Sequence, residues 1–435
     1  MVLFSSDKKS QKDYIKNILK IAGGTALGQG IVVLASPLLT RLYTPEDFGI
    51  LALYVSILSM FVTISGLRYE LAIPLPDNEH DSNNVILLTV IIVLGSSLLL
   101  LLGTLIFLDD IQQVIHIELA DYFYWFLPFS LLGAGLYNTF NFWAIRKGEF
   151  NLIARTKVRQ SVTQTVVQVL CGFINLGTVG LFIGDLFGRA CGSGKLLFSF
   201  IKKEKSLLRH FSIAALKKMA AQYKKYPMLS TWGGLLNSFG LQLPVIGCTL
   251  LFGPSVAGFY SLTQRVIGIP LNLIVQSVSQ VYVNSLIRLI HEKPLGLIAF
   301  FLKNVKYLFI ISTIPMVILI IFGPWIFEVV FGEAWRESGV YARLLGLMYI
   351  AQFTIVPLSQ TLNMLERQEI QLAWDVIRFI LGGSIFLIAL ICDLSPRITI
   401  FYFGTVMFIS YVIMFVLIYK ELKKFELCNV KSKEG

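Results

Sequence analysis

Apolar runs of about twenty residues recur along the whole chain, each long enough to cross the hydrocarbon core of a bilayer as a helix. Twelve such spans can be laid out, over residues 20–42, 48–67, 85–107, 123–144, 159–175, 179–200, 228–251, 256–283, 297–322, 343–365, 371–391 and 398–419. Inside a bilayer every backbone polar group must be satisfied internally, and segments of this length do so as helices. Composition agrees: 55% of the 435 residues are hydrophobic and 14% charged, against roughly 25% charged in a soluble domain. The expected fold class is therefore an all-α integral membrane protein. The fifth span is the least apolar, because Gln160, Gln164 and Gln168 repeat along one face. That face is expected to meet other helices, where polar side chains bond across the interface.

A net charge of +11 would in a soluble chain suggest nucleic acid, but here its distribution along the loops explains it. Of the 37 Lys and Arg residues, four (Arg189, Lys195, Arg265, Arg378) fall deep inside spans and four (Arg41, Arg336, Arg343, Arg397) fall in or next to the loops of one side. The other twenty-nine fall in the N-terminal segment, the alternate loops with the span ends that flank them, and the C-terminal tail. The positive-inside rule then places both termini in the cytoplasm and requires an even number of spans. The first twenty residues are polar and basic, unlike a secretory signal, so the first apolar run is expected to be a retained helix. The expected location is a bacterial inner membrane, crossed many times.

The chain reads as two lobes of six spans: residues 1–200, a basic cytoplasmic linker over 201–227, a second lobe over 228–420, and a cytoplasmic tail over 421–435. Leu42-Tyr43-Thr44-Pro45 leads to Gly49 and Leu53, as Leu251-Phe252-Gly253-Pro254 leads to Gly258 and Leu262, at an offset of 209. Lys147-Gly148-Glu149-Phe150-Asn151-Leu152 pairs with Arg367-Gln368-Glu369-Ile370-Gln371-Leu372 at an offset of 220. Both members of each pair fall on the same side of the membrane, which implies a parallel repeat with substrate handled between lobes.

Thr44-Pro45-Glu46-Asp47 has the chemistry of a helix start: a capping hydroxyl, proline at the first position and two acids at the positive end. Pro37 and Pro244 sit within spans 1 and 7, where proline kinks a helix. Gly188 to Leu196 superficially resembles a phosphate-binding loop. It fails because Arg189 stands where the first glycine belongs and Leu196 follows Lys195. No ATP site, metal-ligand spacing or cofactor motif is present in the sequence, and the five cysteines read as small apolar residues. The four histidines, His80, His116, His210 and His291, fall in loops and form no catalytic set.

The informative residues are charges inside spans. Placing one at bilayer depth costs at least about 2.5 kcal/mol, so such groups face a cavity or a partner. Arg265 lies about nine residues into span 8, roughly 14 Å deep at 1.5 Å per residue. No acid lies within one turn of it, so another helix or a ligand must answer its charge. Asp185 and Arg189 are four apart on span 6, and Asp375 and Arg378 three apart on span 11. Each pair can neutralise itself. Lys195 is expected to reach toward the cytoplasm. Arg265, Arg189 and Arg378 are the candidate substrate-binding residues, suited to an anion because arginine grips phosphate with a rigid fork of donors. Asp185 and Asp375 are the candidates for ion coupling or charge pairing. Gln242, Asn272 and Gln276 can bond sugar hydroxyls, although bonding between helices is the plainer role.

Three stretches carry a family resemblance: Gly23 to Gln29, Ser36 to Gly49 (Ser36-Pro37-Leu38-Leu39-Thr40-Arg41-Leu42-Tyr43-Thr44-Pro45-Glu46-Asp47-Phe48-Gly49), and Leu67 to Pro76. With Gly258, Tyr260, Arg265 and Pro270 in span 8, the chain resembles the bacterial polysaccharide-export flippases. These are the Wzx-like O-antigen and capsule transporters, relatives of the MATE and lipid II flippases. The resemblance is specific over 20–76 and weaker after 290. It implies two six-helix lobes in a MATE-like V around a positively lined cavity. It also implies alternating-access transfer of an undecaprenyl-pyrophosphate-linked repeat unit to the periplasmic face, with Arg265 as a pyrophosphate contact. The expected partners are the lipid-linked oligosaccharide, the bilayer, and a polymerase and chain-length regulator of the same pathway. Two alternatives stand beside it. A multidrug antiporter of the same superfold would want an acidic cavity, whereas in-span arginines outnumber acids here. A membrane glycosyltransferase or polymerase would want a large outer loop bearing a catalytic set, and the loops at 108–122 and 323–342 are short.

Overall fold

The computed structural model describes residues 8–106, 122–204, 212–292 and 296–434. Most of the outer loop expected at 108–122, part of the basic linker, and His116 and His210 lie outside the described residues.

Among the described residues there are twelve long helical stretches, here α1 (Lys8–Leu42), α2 (Pro45–Ser65), α3 (Glu79–Ile106), α4 (Tyr122–Arg146), α5 (Phe150–Phe173), α6 (Thr178–Lys203), α7 (Tyr226–Phe252), α8 (Pro254–Ile290), α9 (Leu297–Phe331), α10 (Glu333–Met364), α11 (Gln368–Ile391) and α12 (Pro396–Glu434). Nine of these, α1 to α3 and α7 to α12, are long and apolar enough to cross a membrane. The chain is a multi-pass, all-α membrane protein. It divides into two compact units, Met1–Ile246 with Gly253–Ala257, and Gly247–Phe252 with Gly258–Gly435.

In the first unit α5 packs against both α1 and α6, and glycines make both approaches. A β-carbon on Gly24 of α1 would lie 2.5 Å from the Ala154 Cα, and one on Gly28 would lie 3.2 Å from the Lys157 carbonyl oxygen. On the other side Gly184, Gly188 and Gly192 of α6 face Gln168, Gln164 and Gln160 in turn. The glutamine face expected to meet other helices therefore fills a stripe of small residues, the arrangement that lets membrane helices approach closely. Gln168 also donates to the Leu181 carbonyl (3.1 Å), and Tyr43 donates to the Gln168 carbonyl (2.6 Å). The third face of α5 is exposed and apolar through Val162, Val166, Leu170 and Phe173.

This division into three faces corrects the sequence reading. The helix begins at Phe150, not near 159, so Arg155, Lys157 and Arg159 are helical and not loop residues. Hydropathy summed around the helix cannot register a stretch whose polar groups are matched by neighbouring glycines.

The start of α2 has the capping box expected from Thr44 and Asp47. Asp47 N–H donates to the Thr44 hydroxyl (3.2 Å), and Thr44 N–H donates to the Asp47 carboxylate (2.9 Å). The same carboxylate accepts from Thr178 (2.5 Å), tying this cap to the start of α6. Pro37 and Pro244 both lie inside helices. Ser56 donates to the Gln242 side-chain oxygen (2.9 Å), the helix-to-helix role for that glutamine.

In the second unit α9 and α10 touch backbone to backbone at Gly323 and Gly339, where an added β-carbon on Gly323 would meet the Gly339 carbonyl at 2.7 Å. Pro324 has no N–H, so the Ile320 carbonyl loses its helical partner. Arg343 supplies one: its Nε donates to Ile320 O (2.8 Å) and its Nη2 to Ile321 O (3.0 Å).

The two halves share more than two sequence matches. The starts of α2 and α8 are related by 209 residues, Pro45 to Pro254. The whole of α5 maps onto α11 at 218, from 150 to 368 and from 173 to 391, and the starts of α6 and α12 keep that offset, 178 to 396. The connecting turns repeat too. Glu149 N–H bonds Ala144 O, and Arg367 N–H bonds Leu362 O, both at 2.8 Å. Gly148 and Glu366 both have positive φ, as do Asn175 and Asp393. The register is therefore 218, not the 220 of the letter match. Glu149 and Arg367 are opposite in charge, so matching letters slid the alignment by two residues.

Replacing Gly24 by Ala should lower stability by about 1–3 kcal/mol, since the β-carbon meets backbone that cannot step aside. Gly23→Ala, where nothing lies within 4 Å of the added atom, should be neutral or slightly stabilising. Thermal unfolding of the two purified variants checks the contrast.

Candidate functional site: charged groups in the helices

The α5–α6 packing determines what can be charged in the first unit. Asp185 on α6 is buried, and Arg189 one turn later reaches back with two bonds, Nε to Oδ2 at 2.6 Å and Nη2 to Oδ1 at 3.0 Å. Helix α4 comes close here, with Gly133 leaving room for the Arg189 β-carbon. The pair expected from the i,i+4 spacing is thus formed. A third charge joins it. Lys157 on α5 sets its ammonium 4.7 Å above the Tyr137 ring, within electrostatic range of Arg189. Two cations and one carboxylate leave this region with a positive excess. Lys157 escaped the sequence reading because it was counted as a cytoplasmic loop charge. Starting α5 at Phe150 is the change that brings it inside.

In the second unit Arg265 stands on a different kind of backbone. Helix α8 widens to π geometry over Gln264–Gly268 and returns to α geometry at Ile269. Such single wide turns relieve an interrupted hydrogen-bond ladder, and Pro270, which has no N–H, interrupts it here. The N-terminal flank of the turn is fixed. Thr263 donates to Phe259 O (3.0 Å) and Ser338 O (2.8 Å), and Gln264 donates to the Tyr260 hydroxyl (2.7 Å). Gly268 leaves space for the Gln264 side chain. Arg265 is half-buried on this turn.

Asp375 and Arg378 on α11 also meet, but loosely, through one contact of 3.3 Å. Gln371 approaches the same carboxylate at 3.4 Å. The Arg378 guanidinium lies 4.7 Å from the centre of the Trp374 ring, and Trp374 is itself held by a bond to Ser410 O (2.9 Å). The repeat register makes Asp375 the counterpart of Lys157, so equivalent positions of α5 and α11 carry opposite charges. The structure thus brings Asp185 to Arg189 and Asp375 to Arg378, and sets Arg265 on the wide turn of α8.

The stretch Leu67 to Pro76 forms a compact rim element between α2 and α3. Leu67 and Arg68 take positive φ, and Tyr69–Ala72 makes one 3-10 turn. Arg146 of α4 donates to Pro74 O (3.0 Å), Ser82 to Ile73 O (2.8 Å) and Tyr69 to Ala220 O (3.0 Å). Gly234 of α7 leaves room for the Arg68 guanidinium. Glu70 is buried, and among the described residues its Oε2 has no hydrogen-bond partner. Burial pushes its carboxyl above the ordinary range, only partly offset by its own backbone N–H and by Arg68. The sequence reading used this stretch for its resemblance and overlooked its buried acid. No group of three or more His, Cys, Asp or Glu that could hold a metal occurs among the described residues.

Comparisons with known proteins follow the same lines. Residues 38–340 match the family model described as "Polysaccharide biosynthesis protein". The succinoglycan biosynthesis transport protein ExoT of Rhizobium meliloti (strain 1021) is 20% identical over 359 residues, covering 79% of this chain and 68% of ExoT. Two solved structures share the fold at a TM-score of 0.71. One is an inward-facing multidrug resistance MATE family transporter of the MOP superfamily, 15% identical, covering 93% of this chain and 95% of that one. The other is the lipid II flippase MurJ in its inward closed conformation, 13% identical, covering 95% and 90%.

Asp185→Asn should cost about 3 kcal/mol by stranding the half-buried Arg189, and Arg189→Gln in the same chain should recover part of it. Asp375→Asn, at a half-exposed single contact, should cost less than about 1 kcal/mol. Thermal melts of the three variants test this order. For Glu70 the folded-state carboxyl is raised, so its contribution to stability is complete below the unfolded value and lost as pH rises through the folded one. Glu70→Gln should therefore melt higher than the parent at pH 7.5, with the difference shrinking as pH falls toward the carboxylate range.

Proposed function

The chain belongs to the polysaccharide biosynthesis protein family, and from that premise we propose that it flips a lipid-linked oligosaccharide across the bacterial inner membrane. It is a membrane transporter, not an enzyme. The cargo we assign is an undecaprenyl-pyrophosphate-linked repeat unit. It moves by alternating access from the cytoplasmic to the periplasmic face, for O-antigen, capsule or another exopolysaccharide. The loops rich in Lys and Arg are then cytoplasmic, as are both termini. The polymerase and chain-length regulator of the pathway are the proposed protein partners. Six spans on each side of the basic linker, 1–200 and 228–420, make up the proposed lobes.

One observation carries the cargo assignment: Arg265 sits on the π turn of α8, deep in an apolar helix. A guanidinium held at that depth is costly unless it serves a partner or a ligand. A diphosphate offers oxygens matched to its fork of donors. Lys157 and Arg189 add a positive excess in the other unit, again suited to an anion. A multidrug antiporter shares the fold, but an excess of cations in the helices is the wrong sign for a cationic drug. We assign Asp185 and Asp375 to charge pairing or ion coupling. Transport that persists when the proton gradient is collapsed would remove the coupling role.

Arg265→Ala should abolish polysaccharide export while leaving expression and membrane insertion intact. Arg265→Lys should rescue only part, since an ammonium keeps the charge but lacks the fork. The measurement is the lipid-linked sugar pool in a strain whose own copy is deleted and replaced by each variant. Repeat units trapped on the cytoplasmic face, with surface polysaccharide lost, are the expected result. Full export by Arg265→Ala would end the proposed role.

A further inference from the structure

A second basic site lies apart from Arg265, at the end of the first unit that carries the Lys- and Arg-rich loops. Arg155 and Arg159 of α5 and Lys195 and Lys203 of α6 converge on a cavity of about 400 Å³. The only acid among its described lining residues is Glu149, and Lys203 already bonds it. Arg159 turns its Nε to the Cys191 sulfur (3.0 Å), a weak acceptor. Four cations against one answered carboxylate leave the cavity strongly positive.

Its place in the helices says what kind of anion it suits. Arg159 lies nine residues into α5, and Lys195 lies eight before the end of α6, so the cavity reaches about 12–14 Å below the helix ends. Arg155 and Arg159 continue the exposed face of α5, which runs on as Val162, Val166, Leu170 and Phe173. Phe198 of α6 is exposed beside Lys195. Cations at one end and an apolar strip beyond them match a molecule with a phosphate head and an acyl or prenyl tail. A soluble anion would have no use for the strip. Solvated lysines merely reaching for water would fan outward, whereas these four side chains line one cavity. Basic pockets between helices at the cytoplasmic surface bind anionic lipid heads by this chemistry.

We propose that this cavity binds the phosphate head of a lipid in the leaflet at the basic end of the helices, with its tail along the exposed face of α5. Two sources offer that chemistry: a resident anionic phospholipid, and the diphosphate of a polyprenyl-linked cargo at a docking point separate from Arg265.

Native mass spectrometry of the purified full-length protein separates them. Phosphatidylglycerol, phosphatidylethanolamine and undecaprenyl diphosphate are titrated one at a time into the parent, Arg155→Gln/Arg159→Gln, and Lys195→Gln, which guards against a folding defect in the double variant. Loss of two charges should weaken the bound anion roughly ten- to thirtyfold, and Lys195→Gln by several-fold, at about 1 kcal/mol per cation. Phosphatidylethanolamine should be unaffected. Weakened phosphatidylglycerol binding supports the resident-lipid source, and weakened undecaprenyl diphosphate binding alone supports the cargo source. Unchanged binding of both anions to folded variants overturns the proposal. Arg265→Ala should leave phosphatidylglycerol binding unchanged, so loss of this site and loss of the proposed export role give different results.

Discussion

Helix α5 carries three glutamines and a lysine in among the helices of the first unit, and the packing of that unit is arranged around them. Polar groups shut between helices cannot be solvated by water and are costly without partners. What remains is close contact with other helices. Gly24 and Gly28 let α1 come within backbone distance on one side, and Gly184, Gly188 and Gly192 open slots for the glutamines on the other. With no strong hydrophobic drive between helices in lipid, dispersion at this range and the bond from Gln168 to Leu181 O have to hold the contact. The glycines are thus the condition for a polar α5, and a polar α5 is what places Lys157 beside the Asp185–Arg189 pair.

The two halves repeat their backbone more faithfully than their chemistry. At the 218-residue register the turns before and after α5 and α11 reuse the same hydrogen bonds and the same positive-φ positions. Side chains diverge on that common frame. Lys157 becomes Asp375, Thr156 becomes Trp374, and the α6 glycines have no counterparts at Tyr402, Val406 and Ser410. One backbone plan therefore supports a tight, glycine-mediated α5 with a positive excess and a looser α11 whose acid and base touch at one point.

Much of this was legible in the sequence. The apolar runs determine an all-helical membrane fold, the spacing of Asp185 and Arg189 gives their pair, and Thr44 with Asp47 gives the cap of α2. What escaped has a shared cause: a property of one segment was set by another. Whether Lys157 is inside a helix depends on glycines some thirty residues away on α6 and more than a hundred away on α1. The orphan carbonyl that Pro324 creates is answered by Arg343, from the next helix. The burial of Glu70 arises from how α2, α3 and α7 close over a short turn. Charge counting by loops cannot register any of these, because it assigns each residue to a side before knowing who its neighbours are.

The π turn of α8 ties the sequence to the chemistry most directly. Pro270 removes one rung from the ladder, and a straight α-helix would leave the Val266 carbonyl without its usual donor. Widening the turn over Gln264–Gly268 redistributes the bonds, at the expense of a geometry seldom stable without support. Support is present on the N-terminal side, where Thr263 is anchored to Ser338 O and Gln264 to Tyr260. One flank of the turn is thus anchored while a proline interrupts the ladder on the other, and Arg265 stands between them.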